Sequence, residues 1–385
     1  MTSSCSSGSV NVPQRRAGGT SVNPGYLENC RSCRHFLHLY SWRQRQVFTL
    51  DPSNMARLSR IAAIVVLAAA VLYVPVRRWA AGGVCESQAR MDGKTVIITG
   101  ANTGIGKVTA RDMAERGARV ILACRSLEKA EEAAKEIRSQ TGNKNVVVHK
   151  LDLASLTSVR QFAKVINDAE PRLDVLINNA GVMHTPRWET EDGFEMQFGV
   201  NHLGPFLLTN LLLDKLRQSA PSRVVTVASL AHTFTSGIDF DDINSQNSYH
   251  LEKAYDRSKL ANVLFSRELS KKLKGTGVTS NSLHPGVIME SDLMRYRRDE
   301  WQGKFGEHVA SALRKVVGAI FSVFGKTVEE GAQTSICCAV AEDLENTTGL
   351  YFSDCVPKET SAAGMDDEAA ARLWDVSERM VGLKS

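Results

Sequence analysis

The sequence predicts an α/β fold: a doubly wound, parallel seven-stranded sheet with helices on both faces. Two observations carry this. From Met91 to the C-terminus strand-like and helix-like segments alternate, the pattern of a parallel sheet covered on both sides. At the head of that array an apolar strand runs through a glycine turn directly into a helix.

The chain has 385 residues, 43% apolar and 23% charged, which suits one large globular domain with appendages and excludes wholesale disorder. A formal charge of +5 is small for this length. No Lys/Arg stripe alternates with aromatics, so nucleic acid is not expected as a partner. The eight cysteines lack the even spacing of a disulfide framework, which fits a reduced compartment. Cys30 and Cys33 form a C-x-x-C near His35 and His38, but no second ligand pair follows, and no metal site is expected.

Residues 1–54 carry six Arg, many Ser and only Glu28 and Asp51 as acids, with no sustained apolar period. This part is not expected to pack. It reads as a transit-like leader or as upstream sequence ahead of a start at Met55. Residues 55–80 read as a membrane anchor: Ile61 to Val76 holds no charge and is bracketed by Arg57, Arg60, Arg77 and Arg78. At ~1.5 Å per residue that run is shorter than the ~30 Å hydrocarbon core. It either spans with both flanks snorkelling or lies in one leaflet, and a buried core helix is the alternative. The acid-poor leader leans to mitochondria over the endoplasmic reticulum.

After a linker at 81–90, residues 91–385 form the globular domain. Its strands read as 95–99, 119–123, 146–150, 175–178, 223–228, 279–283 and 350–352, and its helices include 105–116, 127–139, 155–169, 194–216, 254–274 and 328–341. Between the last two, Val309, Leu313, Val316, Ile320 and Phe324 recur at helical spacing. They predict a helix packed over the sheet, or else a wall of an apolar pocket. Arg295, Arg297 and Arg298 read as a solvated loop, with lipid headgroups as the alternative.

In the glycine turn, Gly100 permits the sharp bend, Gly104 lets a pyrophosphate approach the backbone, and Gly106 lets the helix pack on the strand. Asn102, Thr103 and Ile105 complete the anion-facing helix start. The second strand ends without the acid that accepts bonds from a ribose 2′-hydroxyl in NAD sites. It delivers Arg125 and Ser126 instead, which predicts NADP(H), the Arg fork and the Ser hydroxyl taking the 2′-phosphate and Lys107 adding charge. Further on, Asn179, Ala180 and Gly181 end a strand with amides and small residues that let backbone lie against a planar ligand. Asn201 is a polar intrusion in an apolar helix, and Ser229 ends an apolar strand. Tyr255 and Lys259 stand four apart at a helix start, on one face. A cation one turn away favours the phenolate, so the tyrosine is expected to have a lowered pKa and to serve as general acid/base.

The order T-G-A-N-T-G-I-G, L-D-L, N-N-A-G, Asn201, Ser229, Y-x-x-x-K and H-P-G (residues 284–286) resembles the short-chain dehydrogenase/reductase family, with its Rossmann-type domain, over residues from about 91 onward. Segments 191–210 and 222–232 resemble the group of retinol dehydrogenases 11 to 14. The resemblance implies that Tyr255 donates or accepts the proton and that Lys259 lowers its pKa and holds the nicotinamide ribose. It likewise implies that Ser229 positions the substrate oxygen and Asn201 holds a relay water. It places Asp152 and Leu153 beside the adenine, Asn179 to Gly181 beside the ribose, and Pro285, Gly286 and Val287 beside the nicotinamide amide. It also implies a retinoid substrate, contact with membrane lipid, and homodimers through helices 194–216 and 254–274. A steroid or lipid-peroxidation aldehyde is the alternative substrate, and a non-catalytic nucleotide-binding scaffold the alternative class. Two departures stand out: Ser229 and Tyr255 lie 26 positions apart, about twice the usual gap, and Pro205 falls where the group often has His and is expected to bend its helix.

Overall fold

The structure, a computed structural model, describes residues 51–288, 293, 296, 311–312, 315–318, 320 and 322–384, without the side chains of residues 52, 65, 66 and 69. The leader therefore lies outside the described residues, apart from its last four positions. The chain divides into two units, Met1–Ala69 and Ala70–Ser385. Helix α1 (Pro52–Ala81) begins in the first and ends in the second. Its apolar side chains Ile61, Ile64, Leu67 and Leu72 are exposed. Among the described residues no helix is long and apolar enough to cross a membrane.

In the second unit, β1 (Thr95–Thr99), α2 (Gly104–Glu115), β2 (Arg119–Cys124), α3 (Leu127–Thr141), β3 (Val146–Lys150), α4 (Leu156–Ala169) and β4 (Val175–Asn178) follow in strict alternation. Then come α5 (Gly204–Gln218), β5 (Ser222–Val227), α6 (Leu251–Lys272), β6 (Val278–His284), α7 (Val328–Val340), β7 (Tyr351–Ser353), β8 (Val356–Lys358) and α8 (Asp367–Met380). The sheet order is β3-β2-β1-β4-β5-β6-β7-β8, parallel except for the β7–β8 pair. Strand side chains alternate between two cores. Ile97, Ile121, Leu176 and Val224 pack with Phe206, Leu264 and Trp374 on one face, and Val96, Ile98, Leu122 and Ile177 pack with Met113, Ile137 and Ile336 on the other.

Three expectations are corrected. The sheet has eight strands among the described residues, not seven: β8 is only three residues long, fully exposed and carries Pro357, which a strand tolerates at a sheet edge, where no partner asks for its missing N–H. The helix expected at 194–216 is broken. Glu195 caps a short turn (Met196–Phe198), accepting bonds from the amides of Gln197 and Phe198 at 2.8 Å. A π turn (Gly199–Leu203) follows, and α5 starts only at Gly204. Pro205 is the cause that the sequence offers, since it has no N–H to bond the Asn201 carbonyl four residues back. Finally, Val316, Ile320 and Phe324 are 60%, 53% and 57% exposed, so that helix does not bury this face on the sheet. Val309, Leu313, Arg295, Arg297 and Arg298 lie outside the described residues.

The start of β1 is pinned to β4 by a buried acid. Asp174 accepts the Thr95 amide at 2.9 Å while Arg172 grips both its oxygens at 2.6 and 2.8 Å. Asp174→Ala leaves that amide buried without its acceptor and is expected to lower the unfolding free energy by about 1–3 kcal/mol. Urea denaturation of the variant measures this, and a loss under about 0.5 kcal/mol, the scale of a neutral surface change, would refute it.

Candidate active site

Strand order reverses between β1 and β4, and the candidate residues gather at the carboxyl ends of these strands. Gly100 takes φ 67°, and a Cβ there would lie 3.0 Å from Ala180. At Gly106 a Cβ would come within 2.6 Å of both the Asn179 carboxamide and the Gly100 carbonyl, so α2 packs against the turn as only glycine allows. The space a Cβ would fill at Gly104 (φ 56°) is open. Helix α2 starts at Thr103 with no side-chain cap and no acid in its first turn, leaving amides turned toward an anion. These features fit a dinucleotide pyrophosphate.

A cleft of about 190 Å³ continues from Gly100 and Asn102 past Arg125, Asp152 and Leu153 to Ala180 and Gly181. Arg125 is exposed on its wall and makes no hydrogen bond or ion pair among the described residues. Ser126 instead caps α3, its hydroxyl accepting the Lys129 amide at 3.4 Å, and does not line the cleft. Lys107 also departs from expectation: it pairs with Glu136 at 2.6 Å in a separate cleft, because α2 turns it toward α3. Thr103 borders that second cleft, while Ile105 faces the larger cavity described next.

That cavity, of about 660 Å³, brings together Asn179, Gly181, Ser229, Tyr255, Lys259, Pro285, Gly286 and Val287, with Met183, Leu230, Phe234, Ile288, Leu293 and Val317 as apolar walls. Helix α6 puts Tyr255 and Lys259 one turn apart, and the Lys259 ammonium lies 5.7 Å from the phenol ring centre and donates to the Val227 carbonyl at 3.1 Å. The expected depression of the tyrosine pKa is not found. Burial pushes the Tyr255 phenol up to about 12, with the neighbouring Ser229 hydroxyl pulling the other way. Burial also lowers Lys259 to about 8, and in this dry wall desolvation outweighs the attraction between ammonium and phenolate.

Asn201 does not line the cavity. From the π turn its carboxamide bonds both backbone groups of Val182, at 2.8 and 2.9 Å, and donates to Ser258 at 2.9 Å. Ser258 in turn donates to the Tyr255 carbonyl at 2.7 Å, so Asn201 braces α6 and the Gly181 loop together. Asn179 likewise ties strands, donating to the Thr99 carbonyl at 2.9 Å while the Thr99 hydroxyl accepts the amides of Asn179 and Ala180.

Sequence reasoning assigned nothing to four further cavity residues. His184 meets Tyr255 edge-on, ring centres 5.8 Å apart, from a left-handed backbone (φ 52°) that no residue pattern announces. His284, lowered to about 4 by burial, accepts the Leu230 amide at 3.1 Å and so shapes the Ser229 loop. Glu252 and Asp256 face the cavity one turn apart, and burial, then Glu252, raises Asp256 to about 6. Helical spacing from Tyr255 was the available signal for this pair.

The family model described as short chain dehydrogenase matches residues 94–302. Retinol dehydrogenase 13 of Homo sapiens is 52% identical over 83% of this chain and 93% of its own length, and retinol dehydrogenase 11 of Mus musculus is 50% identical over 80% and 92%. Among solved structures, an uncharacterised protein from Mycobacterium paratuberculosis shares 34% identity with a TM-score of 0.61, covering 78% of this chain and 98% of its own. The NADP complex of RhlG from Pseudomonas aeruginosa shares 26% with a TM-score of 0.53, covering 68% and 95%. A doubly wound sheet carrying this glycine turn, with relatives at these identities, leaves one assignment: the chain belongs to the short chain dehydrogenase family, and within it is similar to the retinol dehydrogenases 11 to 14.

Proposed function

We propose that the chain is an NADP(H)-dependent reductase of a lipophilic aldehyde, all-trans-retinal, working through Ser229, Tyr255 and Lys259. The observation that carries this is the single apolar cavity in which those three side chains meet the Pro285–Val287 loop. The retinoid follows from the names of the relatives, and an apolar wall of this size suits it. The nicotinamide cofactor supplies the hydride to the carbonyl carbon. Gly100, Gly104 and the first amides of α2 hold its pyrophosphate, Asp152 and Leu153 its adenine end, and Lys259 its ribose.

A phenol raised to about 12 is protonated at neutral pH, so Tyr255 starts as a donor, the form that carbonyl reduction needs. The Ser229 and Tyr255 hydroxyls polarise the carbonyl oxygen, and Tyr255 delivers its proton to that oxygen as negative charge forms there. Lys259, with a value of about 8, is mostly an ammonium at neutral pH and offsets the charge left on the phenol. Asn201 acts at one remove, holding Tyr255 through Ser258. Tyr255→Phe is expected to cut aldehyde turnover by ~10²-fold or more while nucleotide affinity stays nearly intact. A variant keeping over a tenth of the wild-type rate on retinal with NADPH would overturn the assignment. Turnover of steroid or lipid-peroxidation carbonyls but not retinal would move the substrate, and cofactor binding without turnover of any aldehyde would leave a scaffold.

The preference for NADP(H) rests on Arg125, exposed on the cleft wall and without an ion pair among the described residues. The solved relative with bound NADP supports the same class. A charge-assisted contact is worth roughly 1.5–3 kcal/mol, so Arg125→Ala is expected to weaken NADPH about tenfold to a hundredfold and barely change NADH. Equal weakening of both in equilibrium titrations would show that this side chain does not read the 2′-phosphate.

We further infer that residues 55–80 hold the enzyme on a membrane, the mitochondrial inner membrane, with 1–54 as leader and 91–385 as catalytic domain. The exposed apolar side chains of α1 between paired arginines support an anchor lying in one leaflet. Full-length protein is expected to sediment with membranes, and a chain starting at Ala70, which keeps the 2.5 Å bond of Arg77 to Glu330, is expected to stay active in the supernatant. Full-length protein found in the soluble fraction would sink the anchor.

A further inference from the structure

Away from the cavity, three thiols meet from three separate segments. Cys85 comes from the linker, Cys337 from α7 and Cys355 from the β7–β8 turn, and none is in a disulfide. Helix α7 clamps both flanking segments one turn ahead of Cys337: Gln333 accepts the Cys85 amide at 3.0 Å, and Thr334 accepts the Cys355 amide at 3.3 Å. The Cys337 thiol donates to the Cys355 carbonyl at 3.7 Å, and Cys85 and Cys355 pack against the core cluster to which Cys337 belongs. Cys337 is buried, whereas Cys85 and Cys355 are partly open to solvent. Asp354 and Cys355 both have left-handed backbone (φ 56° and 63°), and Cys355 packs against the core that α7 helps to build.

We propose that Cys355 and Cys337 form a thiol-oxidation site that consumes a hydroperoxide and closes to an intramolecular disulfide. The Cys355 thiolate attacks the terminal peroxide oxygen and the O–O bond breaks, giving Cys355 sulfenic acid and an alcohol that takes up one proton. The Cys337 sulfur then attacks the sulfenic sulfur. An S–S bond forms, the S–O bond breaks, and hydroxide leaves as water with the Cys337 proton. Two thiols and one hydroperoxide thus yield one disulfide, one alcohol and one water, the peroxide being reduced by the two electrons the thiols lose. Cys355 is partly open to solvent and lies below its ordinary thiol value beside Cys337, so it is the attacking sulfur, while Cys337 is buried, rises to about 11 and attacks second. Cys124, 2% exposed and raised to about 11 by burial, is the internal control.

The test is peptide mapping of the reduced full chain after stepwise addition of tert-butyl hydroperoxide, alkylation and digestion without reductant. The first product is expected to be a bridge between the peptides of Cys337 and Cys355, two hydrogens lighter, formed at least roughly tenfold faster than oxidation of Cys124. In Cys337→Ser the bridge should vanish and Cys355 should become labelled by a sulfenic-acid trap. In Cys355→Ser, Cys337 should stay reduced at the same dose, which covers the case that the first variant fails to fold. Peptide identity separates the bridge from Cys5, Cys30 and Cys33, and fragmentation separates Cys337 from Cys338. A first bridge lacking either partner, or Cys355 oxidised no faster than Cys124, would overturn the proposal.

Discussion

Everything at the candidate site hangs on how β1 is laced to β4. The Thr99 hydroxyl accepts two backbone amides from the far strand, and the Asn179 carboxamide returns a bond to the Thr99 carbonyl. Each such bond contributes only about 0.5–1.5 kcal/mol net, yet all three close at the place where the strand order reverses. There the two strand ends cannot be covered by a crossover helix, so a crevice opens. The glycine turn, the Gly181 loop and the helix start of α2 all take their positions from this joint.

Burial then decides the chemistry. A tyrosine and a lysine on one helix turn are a commonplace pairing on a solvated surface, where each keeps its ordinary protonation. Here α6 carries both into an apolar wall, and the same desolvation drives the phenol upward and the ammonium downward. Their pKa values move apart, to about 12 and about 8, so at neutral pH the phenol keeps its proton beside a lysine that is still mostly charged. Asn201 and Ser258 hold the helix so that this arrangement persists, and the π turn that presents Asn201 lies between the close packing of Gly199 on Thr190 and Pro205.

Much of this was legible in the residues. Apolar strands flanked by turn signals fixed seven strands within a residue or two, because parallel strands buried on both faces read as continuous runs. The glycine positions were legible for the same reason: each answers a local steric demand. What escaped depends on tertiary context. Strand β8 is too short and too exposed to show a period, and the break at 199–203 needs the packing of Gly199 on Thr190 as well as Pro205. Which partner takes Lys107 or Ser126 depends on where α3 lies, and the direction of the Tyr255 shift depends on how dry its wall is. None of these is a property of spacing along the chain.

The carboxylates of Glu252 and Asp256 have a bearing on which molecules can leave and stay away. They stand on the wall of the same cavity as the Ser229 and Tyr255 hydroxyls, and Asp256, at about 6, still ionises at neutral pH. A neutral alcohol or aldehyde is repelled by neither acid, whereas a carboxylate would meet both of them as well as the Lys259 ammonium. Under the proposed reaction, substrate and product are both neutral and pass these carboxylates without repulsion, whichever direction the turnover takes.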